Sequence, residues 1–454
     1  MDVSTKLLTL FFIAIICLFC AACVEKGAEE VSCTIERIGQ SEEASYVVYT
    51  ANNGDLYFVD IPDEEGERYL DLLKYNHDNG DIQTVKDNFT SYRDGSNEGF
   101  GMIAPTADGN EVYCVTTYGA DAEIWKLTCS NDNFEYITSI GSGNNCGSNW
   151  WKVFNISLNS SGDTLYFVSI NNDWDQKRVF MIDLNKSSPA CIEVLNINET
   201  IGPERNLCFG GINVWDKYNN FYVPVWSYDF DDNDLALLKV HVPVNVSDSY
   251  WAELIHFTDN GQENGNPLLS GFRHHSCWSA IGAASNGCIY MAASNHFQPL
   301  DSGDIHGNVA IYKYDPESAV IVLLGDLKTT STSVDNWMSD ESQHKVHTFL
   351  LEHADGRIYF ASDDYEPSYF LRGAHVYTID TANDRISDYS KTQPLVLLRD
   401  FSVKENESIP SSTSGVFVEY YGIKGLGLNR NMPNLLYVML YASNEPGHII
   451  KYTF

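Results

Sequence analysis

Apolar residues recur along this chain in short runs separated by clusters of Gly, Asn, Asp and Ser. Such runs predict strands, since no long stretch with a 3.6-residue period and helix caps competes with them. One pattern returns seven times: a turn containing Gly, Asn or Asp, then an apolar strand with Tyr at a fixed place. The segments are NGDLYFVD, DGNEVYCV, SGDTLYFV, NNFYVPV, NGCIYMAA, DGRIYFAS and MPNLLYVML. Their tyrosines are Tyr57, Tyr113, Tyr166, Tyr222, Tyr290, Tyr359 and Tyr437, spaced by 56, 53, 56, 68, 69 and 78 residues.

A second apolar element follows each one: LLKY, IWKL, VFMI, LLKV, IYKY, VYTI and IIKY. Lys holds its third place at Lys74, Lys126, Lys239, Lys313 and Lys451, and Met181 and Thr378 hold it in the others. One apolar stretch precedes each Tyr strand, and another usually follows the second element. Four strands per unit, repeated seven times, predict an all-β fold, a single seven-bladed β-propeller of four-stranded blades over residues 32–454. A lone four-stranded sheet cannot bury both faces; stacking seven around an axis does so and leaves only short edges. The last unit ends at GHIIKYTF with three strands. The segment SCTIERIG, residues 32–39, has no unit of its own and is expected to complete that blade and close the ring.

The form D-G-x-φ-Y-F followed by G-x-x-φ-φ-x-φ-D, where φ is an apolar residue, runs from Asp355 to Asp380. It resembles bacterial seven-bladed propellers of the lactonase and streptogramin-lyase type. The resemblance implies the architecture of residues 32–454 and matches no specific family. No catalytic signature of those enzymes transfers residue by residue.

The spacings also show where the chain expands. From each Tyr to the marker place in the next strand the gaps are 17, 13, 15, 17, 23, 19 and 14 residues. From that marker to the next Tyr they are 39, 40, 41, 51, 46 and 59. First-hairpin turns stay tight, so the expansions fall on blades 4–7, in loops expected on one face. Loops on a rigid scaffold are where sites usually sit. Candidate binding residues there are Trp150, Trp151, Arg205, Arg273, Trp278, Tyr365 and Tyr369; the aromatic faces suit stacking on sugar rings. Six of the 12 histidines lie at or beside the openings of blades 5 and 6. His274, His275, His344 and His347 are candidate ligands for a divalent metal, which would acidify a bound water or polarise a carboxylate. The alternative for these histidines is ordinary polar lining. The acidic run Asp229, Asp231, Asp232, Asp234 lacks the Gly and Glu of an EF-hand loop and reads as a solvated loop.

Charge narrows the partners. Asp+Glu number 62 against Lys+Arg 28, a formal net charge of −34, which repels nucleic acid and anionic lipid surfaces. Residues 7–24 carry no charge and follow Lys6, with Ala21-Ala22 before Cys23. Residues 1–22 therefore read as a signal peptide, with Cys23 placed like the lipid-attachment cysteine of bacterial lipoproteins, although Cys20 stands where Leu is usual. A retained membrane anchor is the other reading of this run. Residues 23–31 form a linker. The expected location is secreted or anchored on the extracytoplasmic face, as a monomer touching membrane only through that anchor. Eight cysteines follow the leader, an even number that permits four disulfides; buried free thiols are the competing reading. Seven sequons for N-glycosylation occur, at Asn88, Asn155, Asn159, Asn185, Asn198, Asn245 and Asn406. No G-x-S-x-G is present, which excludes an α/β-hydrolase elbow. Two functions fit: a propeller binding a glycan or protein ligand through the loop face of blades 4–7, or a metal-assisted polysaccharide lyase, hydrolase or lactonase using the channel histidines.

Overall fold

The computed structural model describes residues 32–36, 46–60, 68–92, 103–116, 122–140, 151–153, 156–171, 176–201, 207–209, 213–227, 235–244, 249–256, 258–259, 262–263, 276–295, 309–327, 343–346, 350–365, 371–388, 422–442 and 445–453. Antiparallel pairing sorts their strands into seven blades of four, each ordered inner, second, third, outer, and one separate two-stranded ladder, Thr258–Asp259 with Gln262–Glu263. Blade 1 is Tyr46–Thr50, Leu56–Asp60, Arg68–Tyr75 and Ile82–Tyr92. Blade 2 is Ile103–Pro105, Glu111–Thr116, Ala122–Thr128 and Asn133–Ile140. Blade 5 is Ser276–Ala283, Ile289–Asn295, Val309–Asp315 and Val320–Asp326. In blades 3, 4 and 6 the inner strand comes in two pieces on one partner: Trp151–Val153 with Ser157–Leu158, Leu207–Phe209 with Val214–Trp215, and Gln343–Val346 with Leu351–Glu352. The intact inner strands of blades 1, 5 and 7 carry bulges instead. A bulge or break at this place bends the strand that lines the axis.

Blade 7 has Gly422–Leu428, Leu435–Ala442 and Glu445–Thr453, and its outer strand is Ser32–Glu36. That strand pairs with Glu445–Thr453 from Ser32↔Thr453 to Glu36↔Ile449.

The recurring Tyr and Lys places prove to be one cross-strand pair. Tyr57 faces Lys74, Tyr113 faces Lys126, Tyr166 faces Met181, Tyr222 faces Lys239, Tyr290 faces Lys313, Tyr359 faces Thr378, and Tyr437 faces Lys451. Directly opposed residues share a face of the sheet. In several blades that face reaches the next one. Tyr57 Oη donates to Asp132 Oδ1 at 2.7 Å, and Lys74 Nζ lies 2.5 Å from Asp132 Oδ2. Tyr290 Oη and Lys313 Nζ meet Asp384 at 3.2 and 2.7 Å. Tyr437 Oη donates to Gly54 O and Lys451 Nζ to His77 O, both at 2.8 Å, tying blade 7 to blade 1. Asp132 and Asp384 sit in the turns between third and outer strands with φ of 56° and 57°, a left-handed conformation that Asp tolerates better than most residues.

Between blades the packing is apolar. Second strands are buried on both faces, so their residues alternate between neighbours: Leu165 and Phe167 pack toward blade 2, Tyr166, Val168 and Ile170 toward blade 4. Among the described residues, such clusters join blades 1–2, 2–3, 3–4, 4–5, 5–6 and 7–1.

The cysteines correct the four-disulfide expectation. Cys114, Cys129, Cys191 and Cys288 are buried free thiols, which leaves too few partners for that framework. Burial pushes the Cys129 thiol up to about 12, with the Asp132 carboxylate adding to the effect. A neutral, enclosed thiol is a poor nucleophile. These four cysteines should therefore resist iodoacetamide at pH 8 in folded protein and react after denaturation, as mass mapping of peptides will show. Two of the sequon asparagines are engaged: Asn159 Nδ2 donates to Asp163 Oδ1 at 2.8 Å, and Asn198 Oδ1 accepts from Lys177 N at 2.9 Å. Asn155 lies outside the described residues.

Candidate functional site

Strand direction divides the ring into two faces. Turns between inner and second strands, and between third and outer strands, lie on one face. The strand ends that all other connections join lie on the opposite face. The connections 257–275, 296–308, 328–342, 366–370 and 389–421 all join blade strand ends on that opposite face.

Four of the sequence-derived candidates lie at or near strand ends on this face. Trp151 and His344 lie at the entry of inner strands, paired with Asn171 and Asp364. Trp278 lies near the entry of the blade 5 inner strand, opposite Ala293. Tyr365 ends the second strand of blade 6, opposite Gln343. For these four the backbone alone is described. Trp150, Arg205, Arg273, Tyr369, His274, His275 and His347 lie outside the described residues, as does the acidic run 229–234. Among the described residues no group of three or more His, Cys, Asp or Glu is arranged to hold a metal. Three histidines with described side chains pack between blades or beside turns. His77 Nδ1 is 3.0 Å from Tyr437 Oη, His241 Nδ1 is 2.8 Å from Asn220 Oδ1, and His353 sets its ring edge-on to Tyr359.

The tight-turn face holds a cavity of about 1030 Å³ on the ring axis, and all seven blades contribute to its wall. Sequence reading treated the tight turns only as strand punctuation and missed it. Side chains tie its rim from blade to blade. Asn431 Nδ2 donates to Asn52 Oδ1 at 2.7 Å, and Asn52 Nδ2 donates to the Asp108 carbonyl. Asn429 Nδ2 donates to Thr50 O at 2.7 Å. These bonds run from blade 7 through blade 1 to blade 2. The Glu352 carboxylate, 3% exposed, accepts from Ser285 N at 2.7 Å, from Ser285 Oγ at 2.8 Å and from Arg430, spanning blades 5, 6 and 7. Trp215 Nε1 donates to Ser157 Oγ at 2.9 Å, between blades 4 and 3. Bonds of this kind hold the mouth in one shape without ligand.

Carboxylates in the turns are kept ionised. Hydrogen bonds from Thr106 and Asn110 lower the Asp108 pKa, and those from Asn159 and Ser161 lower that of Asp163. A depressed carboxylate contributes stability above its unfolded value, and that stability is lost as pH falls through the folded value. These two turns should thus lose stability only below about pH 4, the ordinary carboxylate range; an unfolding series from pH 7 to pH 3 checks this.

Comparisons with known proteins return shape alone. No family model matches the chain, and no curated protein matches it. Among solved structures, the β-propeller domain of the Trilobed protease from Pyrococcus furiosus is 10% identical, with a TM-score of 0.45 over 90% of this chain and 94% of that one. An oligogalacturonate lyase from Vibrio parahaemolyticus is 11% identical, with a TM-score of 0.47 over 93% of this chain and 91% of that one. At such values the likeness carries no residue role across.

Proposed function

We propose that this chain is an extracytoplasmic binding propeller that recognises a neutral glycan through the loop face of blades 4–7. One observation supports this reading above others: the strand ends joined by the long connections of blades 5 to 7, the entry positions of Trp151 and Trp278 and the end of the second strand at Tyr365 share a single face of a ring whose opposite face is trimmed to tight turns. Aromatic side chains at strand ends suit stacking on sugar C–H faces. A net charge of −34 favours neutral sugars over uronic acids.

The route of the N-terminus agrees with outward display. Ser32 pairs with Thr453 at the tight-turn end of blade 7. A chain held in membrane through residues 7–24, or through lipid on Cys23, would be tethered from the tight-turn side. Residues 24–31 reach at most about 30 Å when extended. The loop face would then point away from the bilayer.

The test is a glycan array probed with full-length protein and with a variant whose residues 296–308 are replaced by Asn-Gly. The expected result is binding to neutral oligosaccharides, lost in the shortened variant at unchanged thermal stability. Array-wide silence, with capture of a defined protein instead, would replace the glycan by a protein ligand.

A further inference from the structure

The axial cavity presents an apolar belt. Pro105, Leu158, Trp215, Ala283, Leu351 and Leu428 line it, one from each of blades 2–7, at or next to the last position of the inner strand. All six keep part of their surface accessible, whereas Val214 and Leu350 beside them are buried. Apolar lining with a few polar groups at the mouth is the usual make-up of a small-ligand site. Hydrogen bonds between blades already hold the mouth in one shape, so a ligand has little of it to order.

The charge at the mouth is unbalanced. The charged side chains of the wall are Asp108, Glu111, Glu352 and Arg430. Arg430 pairs with Glu352, and Glu111 pairs with Lys126 at 3.1 Å. Asp108 meets only neutral donors among the described residues: Thr106 Oγ1 and Asn110 N at Oδ1, and Asn110 Nδ2 at Oδ2. These bonds keep its carboxyl ionised, and Oδ2 accepts one bond where two are possible. Asp108 is exposed and stands three residues after Pro105, in the turn beside the belt. An acidic cleft in a chain of net charge −34 concentrates cations and repels anions. From this geometry we infer that the axial cavity binds a small organic cation with an apolar body, the body against the belt and the ammonium at Asp108. The site lies on the face opposite the one proposed for glycans, and it stands whether or not that reading does. A cavity of about 1030 Å³ is at the upper end of small-ligand sites and admits an aromatic amine with its water.

Full-length protein titrated by calorimetry with tryptamine, indole and indole-3-propionate tests this, since the three share one ring and differ in charge. Tryptamine should bind with millimolar or tighter Kd, at least fivefold tighter than indole, and indole-3-propionate more weakly than either. Asp108→Asn leaves in place the backbone carbonyl that accepts from Asn52; it should bring tryptamine down to the level of indole and leave indole unchanged. Ala283→Phe fills the belt and should weaken both tryptamine and indole at least tenfold. If Ala283→Phe does not fold, Leu428→Gln, which makes the belt polar, takes its place. Tryptamine binding should persist in the variant shortened at 296–308, which separates this site from the loop face. No binding of tryptamine, equal binding of all three compounds, or tryptamine binding untouched by Asp108→Asn or by the belt variant would overturn the proposal.

Discussion

Replacing Gly282 with Ala should be among the most damaging single changes in this protein. Gly282 lies on the inner strand of blade 5, where a Cβ would stand 2.1 Å from the Leu350 carbonyl oxygen and 2.8 Å from Leu350 Cβ in blade 6. The obstacle is backbone, which cannot turn aside as a side chain can. Relief requires the two inner strands to separate, and those strands line the axial cavity. Overpacking of this kind costs about 3 kcal/mol at the upper end of its usual range. Gly162→Ala makes the comparison: φ is +75° there, but nothing lies within 4 Å of the added carbon. Only backbone strain acts at that turn, and the loss should be about 1 kcal/mol. Denaturant midpoints of the two variants should therefore rank with Gly282→Ala well below Gly162→Ala. Equal losses would mean that the inner strands of blades 5 and 6 are not in contact.

The second large effect is expected at the clip between blades 1 and 2. The Lys74 side chain is only 9% exposed, and its ammonium lies 2.5 Å from Asp132 and 3.6 Å from Asp55. Asp132→Asn leaves that cation enclosed with a weaker partner. Breaking a fully buried ion pair costs about 3–5 kcal/mol. Asp132 is itself partly exposed, at 27%, so a loss of about 2 kcal/mol is expected here. The molecule also displays an apolar version of the same clip. In blade 3 the Lys place is Met181, and Tyr250 Oη lies 3.6 Å from its sulfur and 3.4 Å from Tyr166 Oη. Lys74→Met together with Asp132→Asn should accordingly recover most of the stability lost by Asp132→Asn alone. A double-mutant cycle on denaturation midpoints checks this; strict additivity of the two changes would contradict it.

These two sites mark what the sequence shows and what it hides. Counting the tyrosines and the marker places located the second and third strand of every blade; that the two places face each other across the sheet is seen only in the pairing. The counting worked because each blade repeats the same local problem, a sheet buried on both faces. The partners of those lysines were not visible, because Asp132 lies 58 residues beyond Lys74 and Asp384 lies 71 beyond Lys313. They belong to the next blade's turn, which local pattern does not reach. Gly282 looked like any strand glycine until the neighbouring inner strand was in place. The loop-face candidates come from the sequence alone, as aromatic and histidine clusters in long insertions, and most of them lie outside the described residues.

The choice between a binding propeller and a metal-assisted lyase or hydrolase turns on His274, His275, His344 and His347. Elemental analysis of full-length protein purified without chelator addresses it most directly. The account predicts no stoichiometric manganese, zinc or iron that depends on these side chains. One equivalent of such a metal, lost on His274→Ala or His347→Ala, would contradict it and make metal-assisted chemistry on a polysaccharide or lactone the leading function.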